Sequence, residues 1–346
     1  MLYSKVYIDA FGYELAPNVV TSDDIEERLE PLYEALHFQK GQLEALTGIN
    51  ERRFWDPGYK MYEGAIKAGQ KAIDASLVSP KDIGMLIYGG VCRDNLEPAT
   101  ACAVSNGLGL GPDTQIYDVS NACLGVLNGM VHAANAIELG QIKAGLVVSC
   151  ESARQIVDST IERLLENRDM DEFKMKIATL TGGSGAVAVL MTDASIADRG
   201  HRLLGGAIRS ATVHHKLCRW GPDTGIPASG LHVMETDSIG VLQHGVSLGI
   251  ETYKAFKEEL SWPEDAPDKV ICHQVGDTHQ QKILASIGIP GKKDFTTFKY
   301  LGNIGTVSLP ITAAIAAERE FLVKNDRVGF FGIGSGLNCL MLGIKW

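Results

Sequence analysis

A layered α/β fold made of two similar halves is what this sequence predicts, and three observations carry the prediction. Short apolar runs of strand length alternate with longer segments of helical periodicity along the whole chain. Glycines punctuate the ends of the apolar runs, where tight turns are needed. The same order of elements then occurs a second time.

In chain order, the spacing of apolar positions predicts helices over 24–48 and 58–76. "IGMLIYGG", Ile83 to Gly90, reads as a buried strand closed by glycines. A helix through "ATACAVSNGLG", a strand "TQIYDVS", a helix opening at Cys123 and a strand "AGLVVSCES" follow. A polar helical stretch over 153–178 and a strand "GAVAVLMTD" complete the first half. The second half reads as helix "HGVSLGIETYKAFKEEL", strand "KVICHQV", helix "THQQKILASIG", glycine turn "LGNIGTVS", helix "LPITAAIAAERE" and strands "RVGFFGIG" and "NCLMLGIKW".

Two pairs of segments support an internal repeat. "GGSGAVAVLM" (182–191) resembles "GIGSGLNCLML" (332–342), and the helix–strand unit 64–90 resembles 249–276. The expected halves are residues 1–200 and 201–346, joined near 195–215. A ligand is expected where they meet, at strand carboxyl ends.

Composition narrows the function classes. The chain has 346 residues, 45% hydrophobic, and its 38 glycines form no low-complexity tract, so a disordered or fibrous class is excluded. A formal charge of -10 without a Lys/Arg-rich run argues against nucleic acid or an anionic membrane as partner. Seven scattered cysteines, never spaced as CxxC, fit neither a disulfide framework nor a zinc knuckle, and point to a reducing cytoplasm. The N-terminus lacks the apolar run of a secretion signal, and no apolar run reaches the roughly 18 residues of a spanning helix.

The chemistry centres on "YDVSNACLGVLNGMV", where Cys123 stands between a strand and the most apolar helix. A helix N-terminus lowers a thiol's pKa and favours the nucleophilic thiolate. Cysteine is equally at home as a small buried hydrophobe, the role expected of Cys102, Cys150 and Cys339. For Cys123 both roles stand at this level. Gly125 and Gly129, on one helix face, suggest close packing against another backbone or a substrate.

A base or proton shuttle is offered by His273, directly after the strand Val270 to Cys272. His279 is expected to turn away from it as a solvated or capping residue. The spacing of the two histidines fits no helical zinc pair, so no metal is expected. Asn303, between glycines in "LGNIGTVSLP", suits an Asx turn or a donor to a developing oxyanion. The glycine-rich turn "GIGSGLNC" offers backbone N–H groups for an oxyanion hole, and lacks the GK[ST] of a phosphate cradle.

Taken in order, Cys123 in "DVSNACLG", His273 in "HQ", Asn303 in "GNIGTVS" and the "GIGSGLNC" ending resemble the thiolase superfamily. The resemblance is to its Cys-His-Asn branch, which includes 3-oxoacyl-acyl-carrier-protein synthase III. It covers essentially the whole chain and implies a five-layered αβαβα fold of two pseudo-repeated halves, and a homodimer. Ser335 interrupts the terminal glycine run and departs from the usual synthase III pattern. "VCRDNLEPATACAVSNGLG", "RSATVHHKLCR" and "GNIGTVSLP" are more similar to OleA-type enzymes, which join two fatty acyl-CoA molecules head to head.

That resemblance implies an acyl-cysteine intermediate on Cys123, its oxyanion held by the backbone N–H groups of Cys123 and Ser335. His273 and Asn303 would stabilise the enolate of a second acyl-CoA. Glu97, in "EPATA", would reach across the dimer and remove the alpha proton, although a loop carboxylate capping the next helix fits the same position. CoA thioesters are the substrates and no cofactor is implied. Arg209, Lys216 and Arg219 form the best local cluster for CoA phosphates, or a solvated surface run. The product, a 2-alkyl-3-oxo acid or its thioester, calls for a downstream enzyme.

Other readings of the same residues are a decarboxylative synthase III using a malonyl acyl carrier protein, a catalytically silent acyl-CoA-binding protein, and a cysteine hydrolase.

Overall fold

The computed structural model describes residues 1–197, 200–222 and 232–346; residues 198 and 199, within the expected junction, lie outside the described residues. The chain opens with strands β1 (Val6–Leu15) and β2 (Asn18–Thr21), helices α1 (Ser22–Arg28), α2 (Glu30–Leu36) and α3 (Gln42–Thr47), and strand β3 (Glu51–Phe54). It continues through α4 (Met61–Asp74), β4 (Ile83–Tyr88), α5 (Thr100–Leu108), β5 (Gln115–Asp118) and α6 (Gly125–Glu138). β6 (Ala144–Glu151), α7 (Arg154–Glu166), α8 (Met170–Leu180) and β7 (Gly185–Asp193) follow. Then come β8 (His201–Ser210), the ribbon β9 (Cys218–Pro222) and β10 (His232–Thr236), α9 (Ser238–Leu260), β11 (Lys269–Cys272) and α10 (Asp277–Ser286). The chain ends with α11 (Phe298–Leu301), α12 (Ser308–Glu318), β12 (Arg327–Gly334) and β13 (Asn338–Lys345).

The main strands form one nine-stranded sheet in the order β11-β12-β13-β8-β1-β7-β6-β4-β5. It repeats about the junction of β1 with β8. On one side β1 and β7 are antiparallel and β6, β4 and β5 run parallel; on the other β8 and β13 are antiparallel and β12 and β11 run parallel. Beyond β11, Asp294 makes a parallel bridge to Val270, the place that β5 takes beside β4. The described pairing across the junction is Tyr7 with Arg202 and Ile8 with His201.

Both faces of each half-sheet are buried, so neighbouring residues on a strand enter different cores. Ile87 and Phe330 join the core of α6 (Val126, Met130) and α12 (Ile311, Ile315). Leu86 packs with Ala65 and Ala72 of α4 and Val104 of α5. Phe331 packs with Leu248 and Phe256 of α9 and Leu284 of α10. The result is the five-layered α–β–α–β–α thiolase fold. A side lobe of α1, α2, α3, α7 and α8 has its own core.

The structure corrects several sequence expectations. The stretch 24–48 is three helices rather than one, because Pro31 opens α2, and His37 (φ 54°) and Gly41 (φ 87°) adopt left-handed backbone. The stretch 153–178 divides at Asp169, whose carboxylate accepts from the amides of Asp171 and Glu172 and so starts α8. β1 and β8, which join the halves, were not expected as strands. In β8 the strand signal is diluted by Gly205 and Gly206, and a Cβ there would sit 2.2 Å from the Met1 carbonyl oxygen or 2.0 Å from that of Met341.

The glycines of α6 do what their cost suggested. A Cβ on Gly125 would lie 2.3 Å from the Gly89 carbonyl oxygen, and one on Gly129 would lie 2.6 Å from Val147 Cγ1. The helix that follows Cys123 is thereby pressed onto the carboxyl end of β4.

Candidate active site

Cys123 stands in a tight turn between β5 and α6. Leu124 N donates to the Asn121 carbonyl (2.9 Å), and Ala122 takes a left-handed backbone (φ 46°) that costs a non-glycine residue about 1 kcal/mol. Such local strain is characteristic of residues that a fold must aim.

His273 leaves the end of β11 with its amide donating to the Phe331 carbonyl (2.9 Å). The next residue fixes the turn: buried Gln274 donates to the Cys272 carbonyl (2.7 Å) and accepts from the amides of Thr297 (2.9 Å) and Phe298 (3.2 Å). Burial, with His279 as a neighbour, pushes the His273 pKa down to about 4. The imidazole is neutral near pH 7.

Asn303 is held from both sides, its amide donating to the Thr181 carbonyl and its carbonyl accepting from Gly183 N, each at 2.9 Å. Its Oδ1 accepts from Gly305 N (3.1 Å), the anticipated Asx turn. That bond fixes the amide plane, and Asn303 Nδ2 supplies a donor on a side chain that lines the cavity. Thr306 of the same loop accepts from Val126 N (2.7 Å), which ties the loop to the first turn of α6.

The three side chains and Ser335 line one cavity of about 870 Å³. Ser335 lies in the turn between β12 and β13. A Cβ on the preceding Gly334 would be 3.4 Å from Cys123 N, so this turn faces the Cys123 amide.

At Cys123 burial works against the acidifying effect expected of the helix terminus. Burial, with Cys218 and Glu151 nearby, pushes the thiol up to about 12. The helix amides are committed elsewhere: Gly125 N donates to the Ala122 carbonyl and Val126 N to Thr306. The thiol and the imidazole that line the cavity are therefore both neutral at rest, and a base must take the proton as the sulfur reacts. Iodoacetamide should alkylate Cys123 at pH 7 more slowly than the same cysteine in the urea-unfolded protein, by peptide mapping. Faster labelling in the folded protein would contradict the raised pKa.

Other residues fall differently from expectation. His279 does not turn away; it lines the same cavity and adds to the depression of the His273 pKa. Cys102, expected as a core residue, is exposed on α5, whereas Cys150 and Cys339 are buried. Arg209, Lys216 and Arg219 are exposed and none lines the cavity. Arg219 pairs with Glu235 (2.8 Å), which also takes Lys176 (3.5 Å). Among the described residues, the lysine or arginine that lines the cavity is Lys282 of α10. Sequence proximity gave no sign of it, and Cys218, although within "RSATVHHKLCR", carries no local signal that it lines the cavity.

Glu97 is exposed on the loop between β4 and α5 and does not line the cavity of its own chain. It does not cap α5 either: Asp118 accepts from the amides of Thr100 (2.9 Å) and Ala101 (3.0 Å). The capping explanation for Glu97 is removed.

Comparison with known proteins identifies the family. The model for 3-oxoacyl-[acyl-carrier-protein (ACP)] synthase III matches residues 117–211, and that for its C-terminal part matches 258–346. A Shewanella oneidensis protein named acyl-CoA:acyl-CoA alkyltransferase is 52% identical over 349 residues, covering 100% of each chain. The chain belongs to the acyl-CoA:acyl-CoA alkyltransferase family. A member of that name from Xanthomonas campestris is 38% identical over 347 residues, again covering 100% of each.

Crystal structures agree. Xanthomonas campestris OleA with a cysteine replaced by alanine matches at TM-score 0.94 and 37% identity, over 100% of this chain and 98% of that one. A cysteine-to-serine form with bound lauric acid and lauroyl-CoA matches at TM-score 0.92 and 37% identity, over 100% of both. Other solved forms of that enzyme replace a glutamate. That glutamate stands as many residues before the substituted cysteine as Glu97 stands before Cys123.

Proposed function

We propose that this condensing enzyme joins two fatty acyl-CoA molecules head to head through an acyl-cysteine. The observation that carries it is the meeting of Cys123, His273 and Asn303 on one largely apolar cavity, of a size suited to acyl chains.

In the first half-reaction His273, neutral, takes the Cys123 proton as Sγ attacks the thioester carbonyl. The carbonyl oxygen gathers charge against the Cys123 and Ser335 amides, and CoA leaves as the thiol. In the second, the carbonyl of another acyl-CoA accepts hydrogen bonds from Asn303 Nδ2 and His273. Glu97 removes its alpha proton, the carbanion attacks the acyl carbonyl, the carbon–carbon bond forms and Sγ departs. The product is a 2-alkyl-3-oxoacyl-CoA, or the free acid after hydrolysis, and its instability calls for an enzyme that consumes it. CoA is substrate here, and the chemistry uses no further cofactor.

Glu97 acts in the site of a second subunit in this reading. β5 is an edge strand, and its half-buried Ile116 and Tyr117, followed by Val119, supply a partly apolar surface for a symmetric dimer. The reading also places the enzyme in the cytoplasm, where its seven free thiols persist. No helix among the described residues is long and apolar enough to cross a membrane.

The test is mass spectrometry after incubation with a long-chain acyl-CoA alone. A condensed 3-oxo acid, or the ketone it decays to, is expected. Product only after adding a malonyl acyl carrier protein would make the enzyme a decarboxylative synthase, and release of free fatty acid alone would make it a hydrolase.

The cavity wall suggests what limits chain length. Gly245 and Gly249 line it from one face of α9, and a Cβ on Gly249 would lie 2.6 Å from Ile283 Cδ1. Gly249→Val should push Ile283 into the cavity and lower turnover of long-chain acyl-CoA about tenfold, while medium-chain turnover persists. An unchanged chain-length profile would remove α9 from the acyl channel.

A further inference from the structure

The loop that carries Glu97 is held at both ends by carboxylates that grip consecutive backbone amides. At its start, Glu151 of β6 accepts from Val91 N (2.8 Å) and Cys92 N (3.1 Å). Tyr88 OH donates to the Cys92 carbonyl (2.7 Å). Asp94 then accepts from Met61 N (3.0 Å) and Tyr62 N (2.9 Å), fastening the loop to the first turn of α4. At its end, Asp118 accepts from Thr100 N and Ala101 N. Between these stakes stand Leu96, 74% exposed, and exposed Glu97 and Pro98.

The cap on α5 comes from a distant element. Ala99 at the N-cap offers no side-chain bond, and Asp118 supplies it from the end of β5, just before the turn that places Cys123. At the other end, Glu151 lies against the Asn303 loop: a Cβ on Gly305 would be 3.5 Å from its Cγ. The loop is therefore braced on the elements that set its own subunit's nucleophile and amide donor. An apolar side chain and a carboxylate are left projecting from a fixed base.

We infer that Asp118 is a positioning residue for Glu97, holding a preformed arm that a second copy of this chain receives. The inference rests on the reading that Glu97 serves the partner's site. Binding that arm costs less ordering than binding a free loop, and misplacement by about 1 Å is enough to cost on the order of 100-fold in rate.

The experiment separates the half-reactions and mixes subunits. Asp118→Ala should keep the rapid burst of CoA release from its own Cys123, while condensation falls about 10- to 100-fold. Asp118→Asn, which keeps one of the two acceptor oxygens and turns an amide NH2 toward the other N–H, should recover only part of the loss. Thr100→Pro removes one of the gripped amides at a helix position that tolerates proline, and should reproduce part of the loss if Asp118→Ala does not fold. Dimers mixing Asp118→Ala with Cys123→Ala subunits should condense, because the working Cys123 then receives Glu97 from an intact arm.

Dimers mixing Glu97→Ala with Cys123→Ala test the underlying reading, and failure to condense there overturns action across the dimer. If those mixtures condense, normal condensation by Asp118→Ala and Thr100→Pro homodimers overturns the positioning role. Inactivity of the Asp118→Ala mixture overturns it as well.

Discussion

Cys123→Ala is expected to abolish both CoA release and condensation, lowering turnover by at least about 10⁴-fold. The substitution removes the one atom that carries the acyl group between the two half-reactions. It leaves the surrounding fold in place, because Cys123 opens onto a cavity instead of filling a core. Rapid mixing with a long-chain acyl-CoA and a thiol reagent reads the burst directly: one CoA per site for the native protein, none for the variant. A persisting burst would move the nucleophile to Cys218, the half-buried thiol that also lines the cavity.

Glu97→Ala is expected to split the reaction. The acyl-enzyme should form at the native rate, with the CoA burst intact, while condensation falls by about 10²- to 10⁴-fold, the usual contribution of a positioned general base. The alpha proton of a thioester is weakly acidic, so without this carboxylate the hydrogen bonds from His273 and Asn303 have no carbanion to stabilise. Intact-protein mass spectrometry should show the acyl group accumulating on Cys123 in the variant. Normal condensation would exclude Glu97 as the base, and loss of the burst would show that the arm supports the subunit's own site.

The repeat of elements, the placement of Cys123 and His273 after strands, and that of Asn303 in a glycine turn before a helix were legible because they depend on local patterns. Apolar runs of strand length and the glycines of "GNIG" are written within a few residues, whereas Gln274, which locks the turn after His273 through the amides of Thr297 and Phe298, acts across more than twenty residues and was not legible. β1 and β8 escaped because their pairing partners are far along the chain. β8 also carries glycines whose purpose is the passage of other backbones. The basic cluster at 209–219 read from sequence proximity as either a CoA site or a solvated surface run, and in the fold it is exposed and does not line the cavity. Among the described residues, the lysine or arginine that lines the cavity, Lys282, stands on α10.

By itself, then, the sequence determined which chemical groups are present and in what order: a thiol, an imidazole, an amide and a carboxylate, on an α/β chain of two repeated halves. Their protonation was decided by tertiary structure. Enclosure disfavours charge on both partners, raising the Cys123 thiol and lowering the His273 imidazole, against the acidifying effect expected of a helix terminus. The shape of the acyl cavity was likewise fixed by packing, since α9, α10 and the turn after β12 meet there from distant parts of the chain. So was the place of Glu97, whose loop the fold braces from both sides and which does not line its own chain's cavity, because desolvation, cavity shape and the reach of a loop are properties of neighbours in space.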